Sequence, residues 1–286
     1  MPVVTELRRF PVKSCRGEVL GEGVVEPWGL RGDRRWMLVD EQGEAMTIRE
    51  RRGMVLLHPQ LREDGGLLVR DTDRTDADEL RVDVPSGADL VPVSLFGNTP
   101  FLAALAEESA HAWFSKAVGE PVRLVHADDP SRRPANPDYA GPDVPMAFAD
   151  GFPLHLTAEE SLSDLNDRIR QGPMADQGPL PMVRFRPNVV VSGAAAWAED
   201  GWRRLRIGDG LYRSVKGCAR CAIPTTDELT AERFKEPTAT MARFRRWDGA
   251  VWFGTNLVCD TPGVTIRVGD EVEVLETRDP SDGPPR

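Results

Sequence analysis

Thiols and imidazoles are scarce: four cysteines and four histidines in 286 residues. Four cysteines in a chain of this length do not make a disulfide framework. The histidines (His58, His111, His126, His155) are scattered without ligand spacing, and Cys15 and Cys259 stand alone. A structural zinc site, which takes four ligands at short spacings, is therefore not expected. An iron–sulfur cluster normally takes four thiolates, and these are too dispersed for one. No G-x-G-x-x-G opens a βαβ unit, so no dinucleotide fingerprint is visible. No apolar run is long enough to span a membrane, and the start, MPVVTELRRF, has no apolar signal core. The expectation is a cytoplasmic protein without membrane contact. Positive charge is in deficit: the formal net charge is −10, which disfavours non-specific nucleic-acid binding but is compatible with a local basic pocket. There is no internal repeat and no low-complexity tract.

Turn formers are plentiful, with 26 Gly and 24 Pro, and with 40% apolar residues the composition is that of a globular protein. Short alternating or apolar runs between Gly, Pro and Asp turns predict a mainly β (α+β) fold with a few short helices. Residues 1–97 read as an all-β unit, a small barrel or sandwich. Residues 98–277 read as a linking helix over Phe101 to Val118 followed by a second β unit. In the linking stretch Leu102, Leu105, Ala106, Ser109, Ala112 and Trp113 share a helical face. Thr157-x-x-Glu160 has the form of a capping box for a helix from Ala158 to about Arg170. Trp202 to Ile207 and Leu211 to Val215 read as a hairpin over Gly208-Asp209-Gly210. The polar tail, 278–286, is expected to be disordered.

The stretch that concentrates chemistry is Lys216-Gly217-Cys218-Ala219-Arg220-Cys221, followed by Ala222-Ile223-Pro224-Thr225-Thr226-Asp227. It is expected to form a turn at the end of a strand, where Lys216 and Arg220 would favour a thiolate, the form that attacks and that binds metal. A lone C-x-x-C supports two packed cysteines, a redox dithiol, or one soft thiolate on a metal that brings its own ligands. The local sequence leaves these open.

Separated motifs narrow the choice. Phe10-Pro11-Val12-Lys13-Ser14-Cys15 is followed by Gly32-Asp33-Arg34-Arg35-Trp36. Next come Thr157-Ala158-Glu159-Glu160-Ser161-Leu162, Phe185-Arg186-Pro187-Asn188, Cys218-Ala219-Arg220-Cys221 with Thr225 and Asp227, Phe253-Gly254 and Val268-Gly269-Asp270. In this order, over positions 3 to 275, they resemble the MOSC-domain proteins with a MOSC N-terminal β-barrel, the group of the mitochondrial amidoxime-reducing component. The resemblance implies an N-terminal small β-barrel followed by a MOSC β-barrel. It also implies a pterin-based molybdenum cofactor (molybdopterin). Cys221 would ligate molybdenum. Lys13, Ser14 and Arg34 would hold the cofactor phosphate. Arg186 and Asn188 would face the pterin, with the hydroxyls of Thr157, Ser161 and Thr225 beside the cofactor. Asp227 would accept a proton in turnover, stand in the surroundings of the metal, or only cap the turn. The implied activity is molybdenum-dependent reduction of N-hydroxylated compounds (hydroxylamines, amidoximes, N-hydroxylated bases) to amines. Electrons would come from a separate flavin reductase or ferredoxin-type partner. MOSC domains also end molybdenum-cofactor sulfurases, so the alternative is a non-enzymatic cofactor or sulfur carrier. Pro224-Thr225-Thr226-Asp227 departs from the family pattern of two threonines and a valine before the aspartate, which displaces one hydroxyl.

Overall fold

The computed structural model describes residues 1–74, 78–279 and 283–285. These fold mainly into β structure, with four α-helices among the described residues. Nine strands make the largest sheet. Its path runs Val272–Thr277, Trp202–Ile207, Gly210–Arg220, Ala250–Cys259, Leu154–Ala158, Val189–Ser192, Val3–Arg9 and Glu18–Leu20, with Arg246–Trp247 paired beside Ala250–Cys259. The first strand of the chain thus lies in the sheet of the C-terminal half, Val3 opposite Ser192 and Leu7 opposite Val189. A four-stranded sheet joins Trp36–Val39, Arg123–His126, Phe101–Leu105 and Leu90–Val93. A three-stranded sheet joins Leu57–Leu61, Leu67–Asp71 and Leu80–Val82. These pairings form open paths, so the strand spacing that suggested barrels is realised as open sheets. The four-stranded sheet also crosses residues 97 and 98, because Arg123–His126 pairs with Trp36–Val39.

The helix expected over 101–118 is half strand. Phe101–Leu105 pairs antiparallel with Leu90–Val93 and with Arg123–His126, and the α-helix covers Glu108–Val118. Partners on both sides of Phe101–Leu105 offer a full ladder of backbone bonds, which overrides a helical spacing of side chains. The helix buries Ala110, His111 and Phe114 and stops at Gly119, whose φ of 84° suits a left-handed cap. The capping box is also not formed. Thr157 belongs to a strand, Ala158 is the N-cap without a side-chain bond, and Glu160 Oε1 accepts from the Ser192 hydroxyl (2.9 Å) and Gly193 N–H (2.7 Å).

Of the tail expected to be disordered, residues 280–282 and 286 lie outside the described residues. The described remainder is docked: Gly217 N–H donates to Pro285 O at 2.6 Å, Arg278 N–H donates to Gly201 O, and Gly283 and Pro284 are buried. Burial of apolar area against Trp247 and Trp252 explains why this polar-looking stretch is held.

One core lies under the N-terminal sheets around Trp36, Ile48 and Phe114. A second fills the large sheet around Leu7, Leu156, Val189 and Tyr212. A third packs Leu165 and Met241 with Phe185 stacked on Phe253, ring centroids 3.8 Å apart. The candidate site lies among residues of both halves of the chain.

Candidate functional site

After the first strand the chain turns sharply through Lys13 and Ser14. Lys13 N–H donates to Trp36 O at 2.8 Å, and Ser14 is left-handed at φ 68°. The Lys13 side chain is only 4% exposed. Its ammonium donates to Phe148 O at 2.9 Å and pairs with Asp150. Burial lowers its pKa, with Asp150 opposing the shift. Although half of its surface is open, Asp150 is desolvated by the cleft wall, which raises its carboxyl pKa; Lys13, Arg34 and Arg49 together outweigh this and hold it below the usual carboxylate range.

Arg34 (φ 46°) and Arg186 (φ 53°) are both left-handed, and their guanidinium groups lie 4.4 and 4.1 Å from the Phe10 ring centroid. Arg34 donates to Asp33 (2.6 Å), Asn188 Oδ1 (3.2 Å) and Arg186 O (3.1 Å). Arg186 donates to Cys15 O at 2.8 Å, and burial beside Arg34 brings its pKa down to about 10. Asn188 is 1% exposed. It accepts from Arg34 and from His155 N–H and donates to Arg8 O, so it ties three segments together.

The cysteine strand is longer than the sequence suggested. It continues past Val215 to Arg220, so Cys218 lies within the strand and Cys221 is the first residue beyond it. Its register against Ala250–Cys259 shifts between Ser214 and Lys216 and again between Gly217 and Ala219. Such irregularities bend a strand and re-aim its side chains. Cys218 Sγ accepts from Arg220 at 2.8 Å, and burial raises its pKa. Arg220 also donates to Phe185 O at 2.9 Å, which joins the C-x-R-C stretch to the F-R-P-N stretch.

These elements enclose a cleft of about 410 Å³, within the range of small-molecule sites. Lys13, Ser14, Arg34, Arg186, Asn188 and Cys221 line it together. Four further residues singled out from sequence do not. Thr157 is fully buried, its hydroxyl without a partner. Ser161 donates to Glu199 at 2.9 Å behind the site. Thr225 donates to Ala222 O at 2.6 Å. Asp227 accepts from Leu229 N–H (2.9 Å) and Thr230 N–H (3.0 Å) and pairs with Arg184 (2.6 Å). Burial raises the Asp227 carboxyl pKa, but these donors outweigh it and hold it below its ordinary value. It closes the turn after Cys221 rather than facing the cleft.

Sequence reasoning missed Asp150 and Phe96, took Lys216 and Arg220 only as cations beside the cysteines, and gave Arg49 and His155 no role at the site. All six line the cleft. His155 is 7% exposed, and burial together with Arg220 keeps it well below its ordinary pKa, so it is neutral at pH 7. The lining holds six cations (Lys13, Arg34, Arg49, Arg186, Lys216, Arg220) against one carboxylate, Asp150. In a chain of net charge −10 this is a local inversion of sign that attracts anions. Arg49 Nε, Arg186 Nη2 and Arg220 Nε are buried without a partner among the described residues. Left-handed, non-glycine Ser14, Arg34, Phe96 and Arg186 all line the cleft, and strained backbone of this kind clusters at binding sites. Among the described residues no three His, Cys, Asp or Glu side chains gather as a metal site. A metal at Cys221 would thus need ligands from its own cofactor.

Residues 1–121 match the family described as the MOSC N-terminal beta barrel domain, and residues 143–273 match the MOSC domain. The chain is 32% identical over 289 residues to the mitochondrial amidoxime-reducing component 1 of Homo sapiens, covering 95% of this chain and 82% of that one. It belongs to the MOSC family. The molybdenum cofactor sulfurase of Oryza sativa subsp. japonica is 34% identical over 260 residues, covering 86% of this chain but 31% of the sulfurase. The mitochondrial amidoxime reducing component 2 of Rattus norvegicus is 32% identical, with 94% and 82% covered. The MOSC chain thus spans about a third of the sulfurase and about four fifths of the amidoxime-reducing components. Among its described residues no helix is long and apolar enough to cross a membrane.

Proposed function

We propose that this MOSC protein binds a pterin-based molybdenum cofactor and reduces N-hydroxylated compounds to amines. The observation that carries the reading is the placement of Cys221 in a cleft whose other lining groups are mostly cations, three of them with buried, unpartnered N–H groups. These residues fit such a cofactor. Its terminal phosphate calls for cations and a hydroxyl, which Lys13, Ser14 and Arg34 offer at the cleft. A planar pterin edge calls for fixed donors, which Arg186 and Arg220 offer. A soft metal takes a thiolate, and Cys221 is the thiol at the cleft that Arg220 does not engage. The bound cofactor would supply the two-electron chemistry at the N–O bond.

The protein's part is to bind and orient. Asp150, the lone carboxylate, balances Lys13 and Arg49 until an anion enters and takes over those contacts. Neutral His155 accepts or donates a hydrogen bond without adding charge, its Nε2 standing 3.3 Å from Phe253 O. Arg184 pairs with Asp227, which caps the turn at 227–230 downstream of Cys221. A second reading, a non-enzymatic carrier of cofactor or sulfur, is favoured by the sulfurase relative.

The test is elemental analysis followed by reduction of a simple amidoxime with a chemical electron donor. The loaded protein is expected to hold one molybdenum per chain and to turn over. Cys221→Ser is expected to keep its circular dichroism but lose reduction, because a hydroxyl is a poor ligand for a soft metal. Cys218→Ser should be much milder. Equal activity of Cys221→Ser and wild type refutes the ligand role; a loaded but inactive wild type favours the carrier.

A further inference from the structure

The cysteine strand Gly210–Arg220 is paired on both sides only as far as Arg213, which stands opposite Arg204. From Ser214 to Arg220 its one strand partner among the described residues is Ala250–Cys259, and both register shifts fall in that stretch. A strand paired on one side and broken in register is among the parts of a sheet that open most readily. Here that stretch leads directly into Cys221.

Another segment crosses it. Gly217 N–H donates to Pro285 O at 2.6 Å, and a Cβ on Gly217 would stand 2.7 Å from Pro284 Cβ and 3.2 Å from Pro285 O. Gly217 also lines the cleft, while residues 283–285 do not. Glycine weakens a strand interior, and the close passage of a second backbone accounts for it here. The crossing segment is fastened from its other end. Gly283 lies against Trp247, where a Cβ would meet Cε2 at 2.9 Å. Arg278 donates from Nη2 to Gly283 O and from Nε to Asp200 O, the latter at 2.9 Å. Asp200 in turn pairs with Arg245, which lies 4.2 Å from the Trp197 ring centroid and 4.8 Å from that of Trp247. Covering Trp247 and Trp252 would explain why the segment is buried. It does not call for a glycine at 217 or for a main-chain bond to the cysteine strand.

We propose that residues 283–285 are a strap on the cysteine strand. Docked, they hold the stretch 214–221 and keep Cys221 in place at the cleft. Released, they let that stretch open and expose the thiol. Arg278 is the clasp: it fixes the strap to the buried Asp200–Arg245 pair at a distance from both cysteines of the C-x-R-C stretch. The device acts on the thiol whatever ligand Cys221 takes, so it stands or falls apart from the cofactor reading above.

The test uses protein produced without molybdate, so that Cys221 carries no metal. Alkylation by iodoacetamide is followed at each cysteine by peptide mass spectrometry. Gly217→Ala places a methyl group where Pro284 sits, and Arg278→Ala undoes the clasp from a distance. In both, Cys221 labelling should rise about tenfold relative to Cys259, the upper size of one hydrogen bond's net contribution. Deuterium uptake over 214–221 should rise with it. Cys259 is the reference because it lies on the paired strand opposite Tyr212, away from the crossing. Equal rises at Cys221 and Cys259 would report general loosening and overturn the strap. Unchanged Cys221 labelling in Arg278→Ala overturns it too, and that variant decides the matter if Gly217→Ala does not fold.

Discussion

Glu199 shows how far a single buried side chain can govern the conditions under which this protein is stable. It is fully buried, Oε2 accepts from the Ser161 hydroxyl, and Oε1 has no partner among the described residues. Its neighbour Asp200 is committed to Arg245, with two contacts at 2.6 and 3.0 Å, and Arg245 lies between Trp197 and Trp247. Burial, then the Asp200 charge, pushes the Glu199 carboxyl up to about 7 from an ordinary 4.5. The folded protein therefore holds a proton that the unfolded chain releases at lower pH. The contribution is fully present below about pH 4.5 and is lost as pH rises through about 7. Glu199→Gln keeps the uncharged shape and lacks the titration. It should match the wild type near pH 4.5 and exceed it at pH 8 by on the order of 3 kcal/mol. Urea unfolding at the two pH values checks this; a difference that does not change with pH would place the strain elsewhere.

Among the elements, Ala250–Cys259 carries a close backbone approach to His155, one of the residues that line the cleft. Gly254 sits in it at φ 75°, and a Cβ there would stand 2.5 Å from His155 Nε2, 2.6 Å from Leu156 O and 2.8 Å from Thr157 Cγ2. Gly254→Ala combines a left-handed penalty with backbone collision and should destabilise by roughly 2–4 kcal/mol. The urea midpoint should fall with the slope unchanged; an unaffected midpoint would mean that the strand moves freely away from His155. Phe253-Gly254 was legible in the sequence as a motif, but its reason was not, because the atoms it must clear lie about a hundred residues away in the chain. The same divide runs through the rest. That Lys13, Arg34, Arg186 and Cys221 would share one cleft was legible because each sits in a short motif of the family that the sequence resembles. Asp150 and Phe96 were not, because what gives them meaning is a partner from another segment: Lys13 for one, Glu44 and Arg49 for the other. Thr157 and Ser161 looked like cofactor hydroxyls, yet the strand and helix that carry them turn both inward. The linking helix misled because side-chain period says nothing about available strand partners, and Phe101–Leu105 has one on each side.

At the scale of the whole molecule the open question is the supply of electrons. Reduction of an N–O bond takes two electrons per turnover. Of the four cysteines, Cys15 is fully buried with its thiol pushed up to about 12, and Cys218 is engaged by Arg220. Cys259 lies beside Tyr212 on the far part of its strand, with its own pKa raised by burial. With Cys221 proposed as the thiolate for the metal, the remaining three are spread over separate segments and do not assemble the four thiolates that an iron–sulfur cluster normally takes. The sequence also carries no dinucleotide fingerprint. On the N-reductive reading, we propose that electrons reach the cofactor cleft through a separate flavin reductase or ferredoxin-type protein. A donor that must leave after each delivery calls for a small, polar contact rather than a permanent one. Because the cleft's surroundings are rich in arginine and lysine while the chain as a whole is acidic, an acidic donor face would be steered towards the site, and its rate would fall with added salt. The molybdenum-loaded protein is accordingly expected to reduce an amidoxime with reduced viologen, to fail with NADH or NADPH alone, and to recover when a reductase is added. That recovered rate should drop as ionic strength rises, while the viologen rate responds far less. Sustained turnover with NAD(P)H and no second protein would show a further redox centre within the chain itself and end the case for a partner.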